Sequence, residues 1–278
     1  MTDDEREDVL IRSEAIERLQ RAHVTSVPFE TLSIADGPAG SRDGRSDERA
    51  APPDDRPGPE PTGVSLAVDD LYRKIVERRR GGFCFELNGL FGRLLDEFGF
   101  DVDTVAAMVV TDGDPSPPAN HRSHVVHLDR RYVVDVGMGV PTLRRPLPLD
   151  GTAHVDDAGV GWRIADSDRP DVDCVVQYDG RETDGWADRY LFGTTPRERS
   201  YFEATCDYLA TAPESPFTGT PVVSMATERG HAKLTPGAFT RIVDGEERSR
   251  DLAPGEWHEL LEAEFGIPAP RVERGRTG

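Results

Sequence analysis

The sequence predicts an α+β fold, and a change of hydrophobic periodicity along the chain predicts it. Before Phe100, apolar residues recur at helical spacing in residues 5–22 and again in residues 68–98. After Phe100, β-branched runs separated by turn residues dominate the middle third of the chain. The last third mixes strand-like runs with one closing helix near residues 255–265. Helices and strands are therefore segregated along the chain, which is typical of an α+β protein.

The N-terminal region predicts one helix, one extended segment and one loop. An amphipathic helix is predicted over residues 5–22 because its apolar positions have mostly helical spacing among Glu and Arg. Residues 27–34, VPFETLSI, are predicted to be extended. Residues 36–62 are rich in Gly, Pro, Asp and Arg, with almost nothing able to enter a core, so we predict a disordered acidic surface loop.

Two further helices are predicted on either side of a glycine pair. Helical spacing resumes at Val68 and stops at Gly81-Gly82. A second amphipathic helix follows directly, with an apolar stripe made of Leu87, Leu90, Phe91, Leu94, Leu95 and Phe98. Gly99 stands where a left-handed C-terminal cap belongs.

Strands are predicted from Phe100 onwards. The runs VDTVAAMVV, HVVHL and RYVVDVG come first, followed by segments near residues 159–164 and 172–178. The second and third runs indicate a β-hairpin that turns near Asp129-Arg130. In the last third, VVSMAT and FTRIVD are also strand-like.

Composition limits the function classes. Of 278 residues, 52 are acidic and 33 basic, which gives a formal charge of −19 and disfavours nucleic-acid binding. Only Lys74 and Lys233 are lysines, which leaves 33 − 2 = 31 arginines, and such an acid-rich surface predicts a halophilic source. The N-terminus is acidic, and no run of about 18 apolar residues occurs, so we expect a soluble cytoplasmic protein without membrane contact.

Cys84 is the strongest candidate nucleophile. Cys84, Cys174 and Cys206 lie far apart and in no zinc-finger spacing, which argues against a disulfide framework or a zinc finger. Cys84 follows Gly81-Gly82 and begins a predicted helix, whose dipole is expected to lower the thiol pKa. The glycines are expected to bring backbone amides close to a substrate oxygen. The alternative is a Cys84 that only fills the core of a catalytically silent binding module.

A nucleophilic thiolate needs a histidine beside it and a carboxylate that orients the ring. The hairpin offers both, with His121, His124 and His127 on its first strand and Asp135 ending the second. Because side chains alternate along a strand, His124 faces away from the other two histidines, and no metal site is expected. A two-residue turn would place His124 opposite Asp135, whereas a three-residue loop with a bulge can bring His121 alongside. Periodicity does not decide between them.

These residues resemble the arylamine N-acetyltransferase family. RGGFCFELN at residues 80–88 is similar to that family's RGGxCxELN signature around its nucleophilic cysteine, and DVGMG at residues 135–139 is similar to its DVGFG. VPFETL at residues 27–32 resembles its IPFENL element, and TAPESPF at residues 211–217 resembles its STxPxSxF segment. The chain differs from these patterns at Thr31 and Met138 and in its extra residues 36–62, which the family lacks.

The resemblance implies three subdomains with a papain-like Cys-His-Asp arrangement. Residues 1–99 would form a helical bundle that carries the cysteine. Residues 100–199 would form a β-barrel that supplies the histidine and the aspartate, and residues 200–278 an α/β lid.

The resemblance also implies the catalytic residues Cys84, His121 and Asp135. His121 is preferred because Pro117-Pro118-Ala119-Asn120-His121 matches the family's Pro-Pro-x-x-His stretch. His124 is the second candidate, because the family's histidine commonly follows Thr or Ser, as His124 follows Ser123.

The implied reaction is ping-pong acetyl transfer from acetyl-CoA, through acetyl-Cys84, to an arylamine, arylhydroxylamine or hydrazine. Acetyl-CoA would be a substrate, with no bound cofactor and no metal. The candidates to contact the polyanionic coenzyme A are Arg144, Arg145 and the run Arg78–Arg80. The alternatives are an amide synthase that closes macrolactams and a cysteine hydrolase of papain or transglutaminase type.

Overall fold

A computed structural model describes residues 3–35, 63–180 and 182–268 of the chain. The loop predicted over residues 36–62 lies outside the described residues. Within them, helices come first, a large antiparallel sheet occupies the middle and a second sheet with two helices ends the chain, so the predicted α+β class is confirmed. No helix in these three ranges is both long enough and apolar enough to span a membrane.

The N-terminal region contains the three predicted helices. Helix α1 spans Asp3–Val24, α2 spans Val68–Tyr72 and continues as a π-helical turn over Arg73–Glu77, and α3 spans Cys84–Glu97. Their apolar faces meet in a core that includes Ile16, Leu87 and Phe91. Gly99 follows α3 in the predicted left-handed conformation, with φ +73°. The predicted stripe is too wide, because Phe98 at its end is 59% exposed.

The middle region is a curled antiparallel sheet. Its strands are β2 Asp101–Thr111, β3 Asp114–Pro115, β4 His121–His127, β5 Arg131–Val134, β6 Leu147–Pro148, β7 His154–Val155, β8 Gly161–Asp166, β9 Cys174–Asp179 and β10 Ala187–Pro196. The order along the sheet is β6-β5-β4-β2-β10-β9-β8-β7, with β3 paired to β2. Strand β6 also approaches β8, so the sheet curls into a half-barrel around a core of alternating inward residues such as Val133, Trp162 and Phe192.

The β4–β5 hairpin determines which histidine meets Asp135. Its register pairs His124 with Val134 and His127 with Arg131, which leaves residues 128–130 as a three-residue loop. Of the two turns that the sequence allowed, the structure therefore has the longer one. Continuing this register by one pair places Asp135 across from Ser123, on the same face of β4 as His121.

The C-terminal region begins with a 3₁₀ turn at Arg199–Phe202 and helix α4 at Glu203–Thr211. Strands β11 Val223–Thr227, β12 Gly230–Leu234, β13 Ala238–Val243 and β14 Glu246–Asp251 follow, and helix α5 Glu256–Phe265 packs on them. The short N-terminal strand β1, Phe29–Glu30, pairs with β11 at the edge of this sheet. Of the segment predicted to be extended over residues 27–34, only Phe29–Glu30 is a strand, and residues 32–34 turn because the Ile34 and Ala35 amides donate to the Thr31 carbonyl.

Candidate active site

Cys84 is the first residue of α3, and it is buried. Phe83 precedes it in an extended conformation, and the Glu86 carboxylate accepts a hydrogen bond from the Phe83 amide at 3.2 Å, which fixes the start of the helix. The Cys84 Sγ atom lies 3.8 Å from the carbonyl oxygen of Asn120, the residue just before β4. The N-terminus of α3 therefore holds the thiol against the start of the histidine strand.

The glycine pair before Cys84 packs against the N-terminal segment. A Cβ atom at Gly81 would lie 1.9 Å from the Pro28 carbonyl oxygen, so only glycine permits this approach. The Gly82 amide lies 3.4 Å from the same oxygen, and the Gly82 carbonyl accepts from the Glu30 amide at 2.9 Å. The pair therefore anchors the segment that carries β1, and a contact of its amides with a substrate stays a prediction.

His121 and Asp135 form a buried pair. His121 Nε2 lies 2.6 Å from Asp135 Oδ2, and the two side chains are 1% and 0% exposed. The other carboxylate oxygen accepts from Asn88 Nδ2 at 2.9 Å and from the Gly137 amide at 2.8 Å. Burial alone would raise the pKa of Asp135, but His121 and these hydrogen bonds outweigh it and hold the pKa below its usual range. Asp135 is thus a fixed anion beneath the imidazole.

Asn88 ties the pair to the nucleophile's helix. It lies one turn after Cys84 on α3, its side-chain nitrogen donates to Asp135, and its side-chain oxygen accepts from the Val136 amide at 2.9 Å. A Cβ atom at Gly137 would come within 2.8 Å of the Cys84 Cα atom, so the DVGMG loop packs directly on the helix. Asn88 was not among the residues predicted for the site, although its spacing of four residues from Cys84 places both on one face of the helix.

Cys84 and His121 line the same cavity, whose volume is about 300 Å³. Its apolar wall includes Phe29, Val109, Met138 and Phe217, and its polar groups include Asn120, Arg189 and Lys233. His121 Nε2 is occupied by Asp135, so Nδ1 is the ring nitrogen left to serve a thiol. The arrangement is a cysteine, a histidine and a carboxylate beside a pocket for a small molecule.

Comparisons with known proteins identify the family. The family model described as N-acetyltransferase matches residues 59–273. The arylamine N-acetyltransferase of Mycobacterium tuberculosis (strain ATCC 25618 / H37Rv) is 31% identical over 271 residues, which cover 94% of this chain and 86% of that protein. The chain belongs to the arylamine N-acetyltransferase family. The resemblance and the acyltransferase class expected from the sequence are thereby confirmed.

Two other members of the family also match this chain, one by sequence and one by structure. The arylamine N-acetyltransferase of Mycolicibacterium smegmatis is 34% identical over 177 residues, and the match spans 62% of this chain and 62% of that protein. The structure of Mycobacterium marinum arylamine N-acetyltransferase in complex with CoA matches with a TM-score of 0.76 and 26% identity, covering 92% of this chain and 86% of that one. The fold is therefore that of solved members of the family.

His124, the second candidate histidine, does not contact Asp135 in this family member. Its Nε2 donates to the Asn88 carbonyl at 2.7 Å, and its Nδ1 lies 3.3 Å from the Thr104 hydroxyl. A Cβ atom at Gly92 would lie 2.5 Å from the ring, so the ring fills the gap between α3 and the sheet. The three-residue hairpin loop puts His124 on the opposite face of β4, where its role is structural. His127 also has a partner other than Asp135, because its Nε2 lies 2.8 Å from Asp103 Oδ2.

Stability is expected to fall on acidification because His124 is buried and neutral. Burial, with the nearby Arg122 charge, lowers its pKa from 6.5 to about 4. The imidazole of His124 binds a proton more tightly in the unfolded chain than in the folded one. The contribution of neutral His124 to the free energy of unfolding is therefore complete above pH 6.5 and is lost as the pH falls toward 4. The shift is equivalent to about 3 kcal/mol.

Denaturant unfolding of the unmodified protein and of His124→Gln near pH 7 and near pH 4 measures this effect. Glutamine can still donate to the Asn88 carbonyl but does not titrate. The variant should therefore lose about 3 kcal/mol less stability over the range. Equal losses in the two proteins would contradict the assignment of a neutral His124.

The electrostatics of Cys84 correct one further expectation. Burial raises the pKa of the Cys84 thiol well above its usual range, and Cys206 and Asp135 act in the same direction. The Phe85 amide at the helix N-terminus lowers it but does not compensate. The helix terminus alone therefore does not produce a thiolate, and the thiol needs a base to take its proton.

Three of the arginines suggested for coenzyme A have partners within the fold, namely Arg144, Arg145 and Arg80. The buried Arg144 donates to the carbonyl oxygens of Thr227 and Gly230 and lies 3.4 Å from Asp156. Arg145 lies 3.4 Å from Glu17 and 3.3 Å from Asp157, on the surface. These two guanidinium groups hold parts of the fold together. In the run Arg78–Arg80, the Arg80 guanidinium lies 3.0 Å from the buried Glu30.

The described ranges contain no group of three or more His, Cys, Asp or Glu side chains that could hold a metal ion. All three cysteines are free and buried.

Proposed function

We propose that this protein transfers an acetyl group from acetyl-CoA to the nitrogen of an arylamine, arylhydroxylamine or hydrazine, through an acetyl-Cys84 intermediate. The observation that carries the proposal is the cavity shared by Cys84 and His121, with Asp135 bound to the far nitrogen of the imidazole. Membership of the arylamine N-acetyltransferase family supports it. So does the complex of the related Mycobacterium marinum protein with CoA.

In the first half-reaction, His121 Nδ1 accepts the Cys84 proton as the sulfur attacks the thioester carbonyl of acetyl-CoA. The bond between the carbonyl carbon and the coenzyme A sulfur breaks, and that sulfur leaves with the proton from His121. Asp135 stabilises the imidazolium and keeps the ring in the tautomer that presents Nδ1 as the base. The high pKa of the buried thiol explains why this base is needed.

In the second half-reaction, the acceptor nitrogen attacks the acetyl-Cys84 carbonyl. His121 takes the proton from that nitrogen and returns it to the departing sulfur, which restores the thiol. The mostly apolar cavity favours an aromatic acceptor over water as the nucleophile. Its volume of about 300 Å³ favours a small acceptor over the long chain that a macrolactam-closing synthase would require.

Intact mass measured after incubation with acetyl-CoA in high salt tests the proposal. We expect the mass to rise by one acetyl group, and to return to its starting value when an aromatic amine is added and N-acetylated product appears. Cys84→Ala is the control and should gain no acetyl group. An unchanged mass in the unmodified protein, or an acetyl group that an amine does not remove, would contradict the mechanism.

A further inference from the structure

A second cavity, of about 240 Å³, shares none of its described lining residues with the cavity that Cys84 and His121 line. It lies where α2, the π-helical turn after α2 and the first turn of α3 meet. Its charged lining residues are four cations and two carboxylates, namely Arg73, Lys74, Arg78, Arg80, Asp70 and Glu86. The whole chain carries 33 basic and 52 acidic residues, so this cavity reverses the charge balance of the protein.

Buried carboxylates hold two of the four cations in place. Both Glu86 oxygens accept from Lys74 Nζ, at 2.8 and 2.9 Å. Glu30 lies 3.0 Å from Arg80 Nη2 and 3.6 Å from Lys74 Nζ. Burial opposes the charged forms of Glu30 and Lys74, but the opposite charges outweigh it, so the pKa of Glu30 is lowered and that of Lys74 is raised. Lys74 and Arg80 are therefore charged and fixed in position at this cavity.

Arg78 is the cation of this cavity that lacks an anion. Its side chain is half-buried and lines the cavity, and it makes no hydrogen bond, ion pair or ring contact with any residue in the described ranges. Asp70 is bound to Arg73 at 3.1 Å and to the Ser65 hydroxyl at 2.8 Å. Each carboxylate of the lining thus already has a cation of its own, and the five donor hydrogens of the Arg78 guanidinium are left for a ligand.

The backbone presents Arg78 and Arg80 to the same cavity. Arg79 between them has φ +51°, in the left-handed region that arginine rarely adopts, and its exposed side chain does not line the cavity. The Arg78 amide donates to the Arg73 carbonyl and the Arg80 amide to the Lys74 carbonyl, both at 3.0 Å, which fixes this turn. Left-handed residues other than glycine persist where the surrounding structure holds them, and they are frequent at ligand-binding sites.

We propose that this cavity binds a phosphate group, either inorganic phosphate or the phosphate of a small monoester, through Arg78 with support from Lys74, Arg80 and Arg73. A phosphate dianion offers more acceptor oxygens and more charge than a carboxylate, so it suits a site where several cations converge, and guanidinium groups bind it with paired hydrogen bonds. Phosphate is small, so a cavity of about 240 Å³ leaves room for a small organic group beside it. The inference does not depend on the proposed acetyl transfer.

Isothermal titration calorimetry of the full chain with inorganic phosphate tests the site, with sodium chloride holding the ionic strength constant. We expect saturable binding of one phosphate per chain and weaker binding of acetate, which has less charge and fewer oxygens. Arg78→Gln should weaken phosphate binding roughly 10-fold or more, because it removes charge-assisted hydrogen bonds, and Arg78→Lys should restore part of the affinity.

The matched control is Arg79→Gln, which removes the same charge from the adjacent residue. Arg79 is exposed and does not line the cavity, so this variant should bind phosphate as the unmodified protein does. Because Arg78 has no partner within the described part of the fold, Arg78→Gln should also unfold at the temperature of the unmodified protein when phosphate is absent. A clear fall in that temperature would assign Arg78 to the fold and contradict the inference.

Three further results would overturn it. Heat no larger than that of the chloride control would show that no site exists. Equal weakening of phosphate binding by Arg78→Gln and Arg79→Gln would reduce the effect to diffuse surface charge. The titration is also repeated with saturating coenzyme A, where we expect the phosphate affinity to be unchanged. Loss of phosphate binding there would assign these cations to the coenzyme A phosphates. None of these measurements requires acetyl transfer, so failure of the proposed function would leave them interpretable.

Discussion

Replacing Cys84 with serine is expected to abolish acetyl transfer while leaving the fold intact. The substitution changes one buried atom of similar size, so α3 should keep its start at residue 84. The site raises even the thiol pKa well above its usual range, and a serine hydroxyl in the same place is far harder to ionise. We expect kcat to fall by a factor on the order of 10³ or more.

The measurement is formation of N-acetylated amine together with the intact mass after exposure to acetyl-CoA. Cys206→Ser is the matched control, since Cys206 is also buried and lies near enough to influence the Cys84 thiol pKa. The control should retain transfer and still gain one acetyl group. More than a few per cent of activity in the Cys84 variant would refute its role as nucleophile.

Asp135→Asn is expected to have the second largest effect. An amide cannot balance an imidazolium, and it can donate a hydrogen bond to His121 Nε2, which would stabilise the tautomer with its proton on Nδ1. Nδ1 would then already carry a proton, so it could not accept the proton of the thiol. A fall in kcat on the order of 10³- to 10⁴-fold is expected from the same change in other triads.

The pH dependence of Cys84 alkylation by iodoacetamide tests the role of Asp135 without needing a substrate. His121→Ala removes the base, so it should slow alkylation near neutral pH, and Asp135→Asn should follow it. His124→Gln is the control and should leave the alkylation profile nearly unchanged, because His124 contacts Asn88 and Thr104 instead. If the His124 variant rather than the His121 variant behaved like Asp135→Asn, the choice of histidine would be wrong.

Local signals in the sequence predict much of this structure. The helix that begins at Cys84, the left-handed Gly99 and the alternation of the three histidines follow from spacing within a few residues. The choice of histidine did not follow from the residues alone. It depends on whether the hairpin loop has two or three residues, and a shift of one residue exchanges the two faces of a strand.

The other differences between the predictions and the structure arise from tertiary contacts. Glycine is needed at position 81 because the segment of Pro28 and Glu30 packs against it, and nothing in the sequence around Gly81 indicates that neighbour. The Cys84 thiol pKa follows from burial, which the sequence near Cys84 does not specify. Arg144 was an equally good candidate for an anion contact until its carbonyl partners on the C-terminal sheet were known. Halophilic source, cytoplasmic location and the proposed subdomain boundaries stay predictions.

The pairing of β1 with β11 sets an order for assembly during synthesis. The Val222 amide donates to the Thr31 hydroxyl at 3.0 Å across 191 residues of sequence, and the same N-terminal segment packs on Gly82 beside the nucleophile. Closing so long a loop costs chain entropy that local helix formation does not. Strand β1 therefore has no sheet partner until Val223 and Ser224 have been synthesised. A nascent chain carries the nucleophile early but completes the structure around it only after β11 has been made.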